Sequence, residues 1–185
     1  MSGEDLARIL GINRKTAQRL NRTLRLLVRG LEPKVLPGCS EWDESTVTRA
    51  WIGGGVSRQT RQCLIQMIAD RRRDTLIPLV EHHTDIEAMV LTDEHWGYDG
   101  LMNHWTVCHA REFVNSQAHF VHTNGIEGVW GHFKPLSWHV YRGIPLSSLP
   151  QYLSEFMFRY NLPVYETRVS VLSALLTRKT NLYLV

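Results

Sequence analysis

The chain has 185 residues, of which 43% are hydrophobic, and its formal net charge is +3. This length suits one ordinary domain with a short appendage, and the hydrophobic content excludes a largely disordered chain. The three cysteines are scattered without a CxxC pair, so neither a zinc ribbon nor a disulfide framework is indicated, and a reducing, cytoplasmic compartment is favoured. Neither a signal-peptide core nor a run of about 20 apolar residues is present, so we expect no membrane association.

Positive charge is concentrated at the start of the chain. Residues 1–34 contain eight Arg or Lys against three acidic residues, whereas the remainder contains thirteen against fifteen. A basic head on a faintly acidic body favours contact between the head and nucleic acid, although a solvated helix face is the alternative interpretation.

Residues 2–29 are predicted to form two helices that meet at Gly11. Ser2 with Asp5 has the pattern of a capping box, and Asn13 can cap the second helix. The segment is typical of a helix-turn-helix, whose second helix reads base edges and binds phosphates. Its predicted DNA-binding residues are Arg14, Lys15, Gln18, Arg19 and Arg22. The alternative is an ordinary helical hairpin covered with arginines.

Residues 31–40 are predicted to be a linker because they are rich in Pro and Gly. Beyond the linker, residues 41–47, 62–69 and 88–91 are predicted strands, the last of which runs into Thr92 and Asp93. A turn is expected at residues 53–55, and residues 75–80 form a strand or begin a helix. Helical periodicity dominates from residue 123 onward. Strands followed by helices predict a mixed α/β fold.

Three acidic residues stand on predicted strands or at the start of a predicted helix. Asp43 lies on the first strand, Asp93 ends a buried strand, and Glu127 opens a helix. Carboxylates suit hard cations, and two such ions can activate the attacking oxygen and stabilise the leaving oxygen in phosphoryl transfer. Each residue also has a local alternative: Asp43 as a solvated turn residue, Asp93 as a cap, and Glu127 as part of a capping box with Asn124.

Three long motifs resemble the ISXO-two-like insertion-sequence transposases, which are relatives of the eukaryotic Merlin elements. The motifs are TDEHWGYDGL at 92–101, REFVNSQAHFVHTNGIEGVWGHFK at 111–134 and WHVYRGIPLSSLPQYLSEFMFRYN at 138–161. The shorter WDEST at 42–46 resembles the segment with the first acidic residue. The resemblance implies that Asp43, Asp93 and Glu127 are the catalytic, metal-binding triad of a DDE transposase.

The resemblance further implies a ribonuclease-H-like fold, namely a mixed five-stranded sheet flanked by helices, over residues 41–185, preceded by the helix-turn-helix head at 1–30. It implies Mg²⁺ as cofactor, with Mn²⁺ as a substitute, and no nucleotide cofactor. The expected partners are DNA, as transposon ends and target, and further copies of the chain. The expected location is cytoplasmic, or nucleoid-associated in a bacterium. Lys134, seven positions after Glu127 on the same helical face, is a candidate phosphate ligand.

The sequence departs from the family pattern in two places. The zinc ribbon that usually precedes the head is missing, which predicts a truncated head that packs on a partner chain or is poorly ordered. Only 49 residues separate Asp43 from Asp93, which predicts shortened second and third strands, and a tighter connection than VTRAW is expected after WDEST. A truncated, catalytically inactive DNA-binding derivative that regulates or inhibits transposition is therefore the alternative function.

Overall fold

The computed structural model describes residues 2–107 and 121–182, with side chains up to residue 177. The chain forms two compact units, one from the residues up to Glu32 together with those from Leu136 onward, the other from Pro33–Pro135. The domain boundaries at residues 30 and 40 stay a prediction. None of the helices in the described part of the chain combines the length and apolar character that a membrane span needs.

The first unit is helical and contains α1 and α2, which the sequence predicted. Its helices are α1 (Gly3–Leu10), α2 (Arg14–Val28), α5 (Leu149–Asn161) and α6 (Tyr165–Leu182). The predicted caps are confirmed: the Ser2 hydroxyl accepts from the Asp5 backbone N–H, and the Asn13 side chain accepts from Thr16. Gly11 ends α1 in the left-handed region with φ of 63°, where glycine avoids the steric cost of a Cβ.

Part of the apolar side of α2 is covered by helices of the same chain. Leu27 and Val28 are buried, and α2 packs against α5 and α6. The sequence predicted that a partner chain would be needed for this support, or that the head would be poorly ordered. The C-terminal helices supply part of this support, whereas Ile9 and Leu10 of α1 and Leu20 of α2 are 67%, 50% and 38% exposed. Packing of the head on a partner chain therefore stays a prediction.

The second unit contains a five-stranded sheet in the order β3-β2-β1-β4-β5. The strands are β1 (Ser40–Val47), β2 (Ala50–Ser57), β3 (Cys63–Ile68), β4 (Val90–Asp93) and β5 (His104–Val107). β1 pairs antiparallel with β2 and parallel with β4. With α3 (Arg73–His82) and α4 (Asn124–Pro135), this arrangement is consistent with the expected ribonuclease-H-like fold.

The prediction of shortened second and third strands is wrong, since β2 has 8 residues and β3 has 6. The connection after WDEST is also as tight as a hairpin permits. Val47 pairs with Ala50, so only Thr48 and Arg49 form the turn, both with positive φ. This is the two-residue turn whose twist matches that of antiparallel strands. Residues 75–80, left open between strand and helix, belong to α3.

The predicted turn at residues 53–55 is wrong, because all three glycines lie inside β2. A Cβ on Gly53 would stand 2.6 Å from a Leu79 methyl carbon, and one on Gly55 would stand 2.6 Å from the Trp42 ring. A Cβ on Gly54, on the other face, would stand 3.1 Å from the Trp130 ring. The glycines are therefore required by close packing on both faces of the sheet.

Candidate active site

Asp43 and Asp93 lie on neighbouring strands and on the same face of the sheet. The parallel register pairs Glu41 of β1 with Leu91 of β4. Because side chains alternate along a strand, Asp43 and Asp93, each two residues further on, share the face of that pair. Both side chains are half-buried. The Asp93 carboxylate accepts a hydrogen bond from the His95 backbone N–H at 3.0 Å, which stabilises the turn after β4.

Glu127 lies in the first turn of α4, and α4 covers the face that carries Asp43. The Trp130 indole N–H donates to Asp43 Oδ2 at 2.8 Å, one helical turn after Glu127. Glu127 is exposed, and its carboxylate accepts from the Thr123 hydroxyl at 3.3 Å. The three acidic residues singled out by the sequence are thus on one side of the sheet, two on strands and one on the covering helix.

The pKa of Asp43 is raised to about 7. Burial is the main cause, and the negative charges of Glu44 and Asp93 add to it, while the hydrogen bond from Trp130 acts in the opposite direction. A buried carboxyl group with acidic neighbours is a place where a cation is electrostatically favourable. Asp43 and Asp93 are therefore two neighbouring acids on one face of the sheet.

Glu41, which was not predicted as a site residue, is almost fully buried beneath the start of α4. Its Oε1 accepts from Arg58 Nε at 2.6 Å, and its Oε2 accepts from the backbone N–H groups of Gly125 at 2.6 Å and Ile126 at 3.1 Å. Arg58 also donates to the His122 carbonyl at 2.8 Å. His122 thus takes part in this internal network.

Glu44 is a second buried acid that the sequence analysis did not separate from its neighbours. On the opposite face from Asp43, its carboxylate forms an ion pair with Arg71 and accepts from the Tyr98 hydroxyl at 2.7 Å. Tyr98 lies in the short 3-10 helix that follows β4. Glu41, Asp43 and Glu44 lie close together in the sequence, which indicates a cluster of acids. The sequence does not indicate that each of them has a different partner in the fold.

The donor chemistry of the three acids fits a hard divalent cation, since all are carboxylates. In the described ranges, residues 2–107 and 121–182, no three His, Cys, Asp or Glu side chains are gathered into an ion-binding group. Asp43 and Asp93 supply two neighbouring carboxyl groups, and Glu127 is exposed on the covering helix. The carboxylates therefore fit Mg²⁺ by their chemistry. For all three to bind one ion, the carboxylate of Glu127 has to approach those of Asp43 and Asp93.

The predicted DNA-binding residues of α2 are all exposed, but they occupy different surroundings. Arg14 forms an exposed ion pair with Glu4 of α1 at 3.3 Å. Gln18 and Arg22 line a groove of about 670 Å³ together with Ser147 and other residues near the start of α5.

Lys15 and Arg19 are not among the groove's lining residues, and Lys134 is exposed in the last turn of α4. Of the α2 cations, Arg22 and Arg25 thus line the groove, whereas Arg14, Lys15 and Arg19 are not among its lining residues.

Comparison with known proteins agrees with the motifs. A family model described as "ISXO2-like transposase domain" matches residues 44–161, so the match begins one residue after Asp43 and includes Asp93 and Glu127. An "uncharacterized transposase-like protein" of Haemophilus influenzae is 28% identical over 107 residues, which covers 55% of this chain and 82% of that protein. The matched segment runs from β1 to the end of α5.

Proposed function

Because the chain belongs to the ISXO2-like transposase family, we propose that it is a DDE transposase that cuts DNA at the ends of an insertion sequence and joins them to a target. In this proposal Asp43, Asp93 and Glu127 are the catalytic residues and the ligands of Mg²⁺, for which Mn²⁺ can substitute. The family implies DNA as the partner.

The observation that carries the proposal is the common face of Asp43 and Asp93, covered by the helix that bears Glu127. Of the acids in the first strand, Glu41 and Glu44 are engaged by Arg58 and Arg71. Asp43 receives neutral donors instead, from Trp130 and from the Glu44 backbone N–H. A carboxylate without an arginine partner is the one whose charge remains for a cation.

Within this site, the carboxylates of the chain would bind the ion, and neighbouring groups orient those carboxylates. Mg²⁺, when bound by the three carboxylates, would activate the attacking oxygen and stabilise the leaving oxygen of the phosphodiester. Trp130 holds one oxygen of Asp43 in place, and the His95 backbone N–H does the same for Asp93. Such outer contacts orient the ligands before the ion arrives.

The DNA-binding role is assigned to the head and to α4. Arg14, Lys15, Gln18, Arg19 and Arg22 contact the DNA in this proposal, with Lys134 as a further phosphate ligand. Exposed cations release counterions from DNA when they bind. Assembly of several copies on the transposon ends completes the proposal.

The second candidate is an inactive derivative that binds DNA and interferes with transposition. One observation favours it: the described residues contain no ready-made group of three acidic ligands. The two candidates share the fold and the DNA contact, and they differ only in strand cleavage.

The experiment is a nicking assay with supercoiled DNA that carries the element ends, in the presence of Mg²⁺ or Mn²⁺. We expect Glu127→Gln to abolish nicking while DNA binding is retained, because the substitution keeps the shape and removes one anionic ligand. Glu81→Gln, at an exposed position of α3, is the matched control and should cut as the wild type does. Equal cleavage by Glu127→Gln would exclude Glu127 as a ligand. DNA binding without cleavage by the wild type would support the inactive derivative.

A further inference from the structure

The buried carboxylate of Glu41 joins the central strand of the sheet to the first turn of α4. Both oxygens are used: Oε1 by Arg58, and Oε2 by the backbone N–H groups of Gly125 and Ile126. Only 2% of the residue is exposed. Glu41 is therefore closed to solvent and to a metal ion, although it stands two residues from Asp43 on the same face.

We propose that Glu41 is a positioning residue, which acts through the start of α4 to hold Glu127 in place relative to Asp43. This inference rests on the proposed function of Glu127 as a metal ligand. It assigns to Glu41 no contact with substrate or ion.

Two attachments from one strand bracket Glu127. Glu41 holds the helix at Gly125 and Ile126, and Asp43 holds it at Trp130. Glu127 lies between these points, on a helix with a rise of about 1.5 Å per residue. Because both attachments come from β1, the strand that carries the first acid also determines the position of the third.

The attachment needs a carboxylate and not merely a polar group. Arg58 and the two backbone N–H groups are all donors, so the acceptor must present lone pairs from both oxygens. The negative charge also interacts favourably with the positive, N-terminal end of the helix macrodipole. An amide in place of the carboxylate would turn its NH₂ toward either Arg58 or the helix N–H groups, a donor facing a donor.

Gly125 is the complementary part of the attachment. A Cβ at this position would stand 2.7 Å from Glu41 Oε2, closer than real Cβ atoms approach. Gly128, in the next turn of the same helix, has no atom within 4 Å of an added Cβ. The two glycines therefore provide a matched pair, because the same substitution in one helix disturbs the attachment at only one of them.

The test combines Glu41→Gln, Gly125→Ala and the control Gly128→Ala in the full chain. The first readout is amide hydrogen exchange at Gly125 and Ile126, which needs no metal. We expect exchange to be at least tenfold faster in Glu41→Gln, and unchanged in Gly128→Ala. Unchanged protection in Glu41→Gln would overturn the proposal.

The second readout is Mn²⁺ affinity, measured by calorimetry at a temperature where circular dichroism shows every variant folded. We expect Glu41→Gln and Gly125→Ala to bind Mn²⁺ about tenfold more weakly, the lower end of the effect of losing an outer-shell partner. Gly128→Ala should bind as the wild type does. Equal affinities in all four proteins would overturn the positioning role.

A double-mutant cycle separates positioning from general destabilisation. If Glu41 acts through Glu127, adding Glu41→Gln to Glu127→Gln should cause no further loss of Mn²⁺ affinity. Two losses that multiply would overturn the proposal, because Glu41 would then act independently. Should the wild type bind no Mn²⁺ while the exchange result holds, the proposed function fails and the attachment of α4 to Glu41 stands.

Discussion

The strand β1 and the helix α2 each carry a dense run of charge, and they hold it in opposite ways. Glu41 and Glu44 are 2% and 7% exposed, and each is paired with an arginine. In α2, Lys15 and Arg19 are exposed, and only Arg25 is enclosed, by an ion pair with Glu155 at 2.6 Å. The stability of a buried charge depends on one particular partner. Exposed charges instead add to the positive potential of the surface, to which each of them contributes in the same way.

The largest expected effect is the loss of a partner from the buried group. Arg58→Ala removes the counter-charge of Glu41, and we expect the unit Pro33–Pro135 to lose about 3–5 kcal/mol of stability, as for other broken buried pairs. Arg22→Ala, which removes an exposed arginine of α2, should change stability by no more than about 0.5 kcal/mol. Urea unfolding of both variants measures the difference. Similar midpoints would break the distinction between the two regions.

The two helices of the head could be read largely from local signals. Ser2 and Asn13 cap helices through bonds to residues three positions away, so the pattern and the interaction lie in the same window. Asp93 and Glu127 stand within long motifs that the family match also includes. Helix caps and motif residues can therefore be predicted from the sequence, because the residues that define them lie close together along the chain.

The surroundings of the acids could not be read in this way. Glu41 and Glu44 have the same local signal as Asp43, and they are distinguished only by arginines 17 and 27 residues away. The glycines of β2 were interpreted as a turn because isolated glycine runs favour turns. In the fold, the side chains of Leu79 and Trp42 pack so closely against this strand that there is no room for a Cβ at Gly53 and Gly55.

An intermediate effect is expected at the enclosed charge of the helical unit. Burial acts to raise the pKa of Glu155, but the charges of Arg159 and Arg25 outweigh it and hold the pKa below the usual 4.5. A carboxyl group with a lowered folded-state pKa stabilises the protein at neutral pH, and that stabilisation is lost as the pH falls through the folded-state pKa.

We therefore expect Glu155→Gln to be less stable than the wild type by about 2 kcal/mol near neutral pH, less than for a fully buried pair because Arg159 is partly exposed. The difference should shrink as the pH falls from 4.5 through the lowered folded-state pKa, below which the wild-type carboxyl is also neutral. Urea unfolding at several pH values measures it. A difference that stays constant into acid would mean that the charge of Glu155 does not contribute.

The smallest effect per residue is expected at the exposed cations of α2, and it appears in DNA binding. Lys15→Ala and Arg19→Ala should each weaken binding to a duplex about two- to threefold at low salt, and each should reduce the slope of log affinity against log salt by about 1. The loss should be the same for an element-end duplex and a random duplex if the two residues contact phosphates.

Arg25→Ala is the matched comparison, because Arg25 is already paired with Glu155, and the centre of the Tyr152 ring lies 3.8 Å from its guanidinium carbon. An arginine neutralised in this way releases no DNA counterion, so the slope should be unchanged at a temperature where the variant is folded. A slope that falls equally in Arg19→Ala and Arg25→Ala would show that enclosed and exposed cations act alike. A loss confined to the element-end duplex in Arg19→Ala would instead identify Arg19 as a reader of bases.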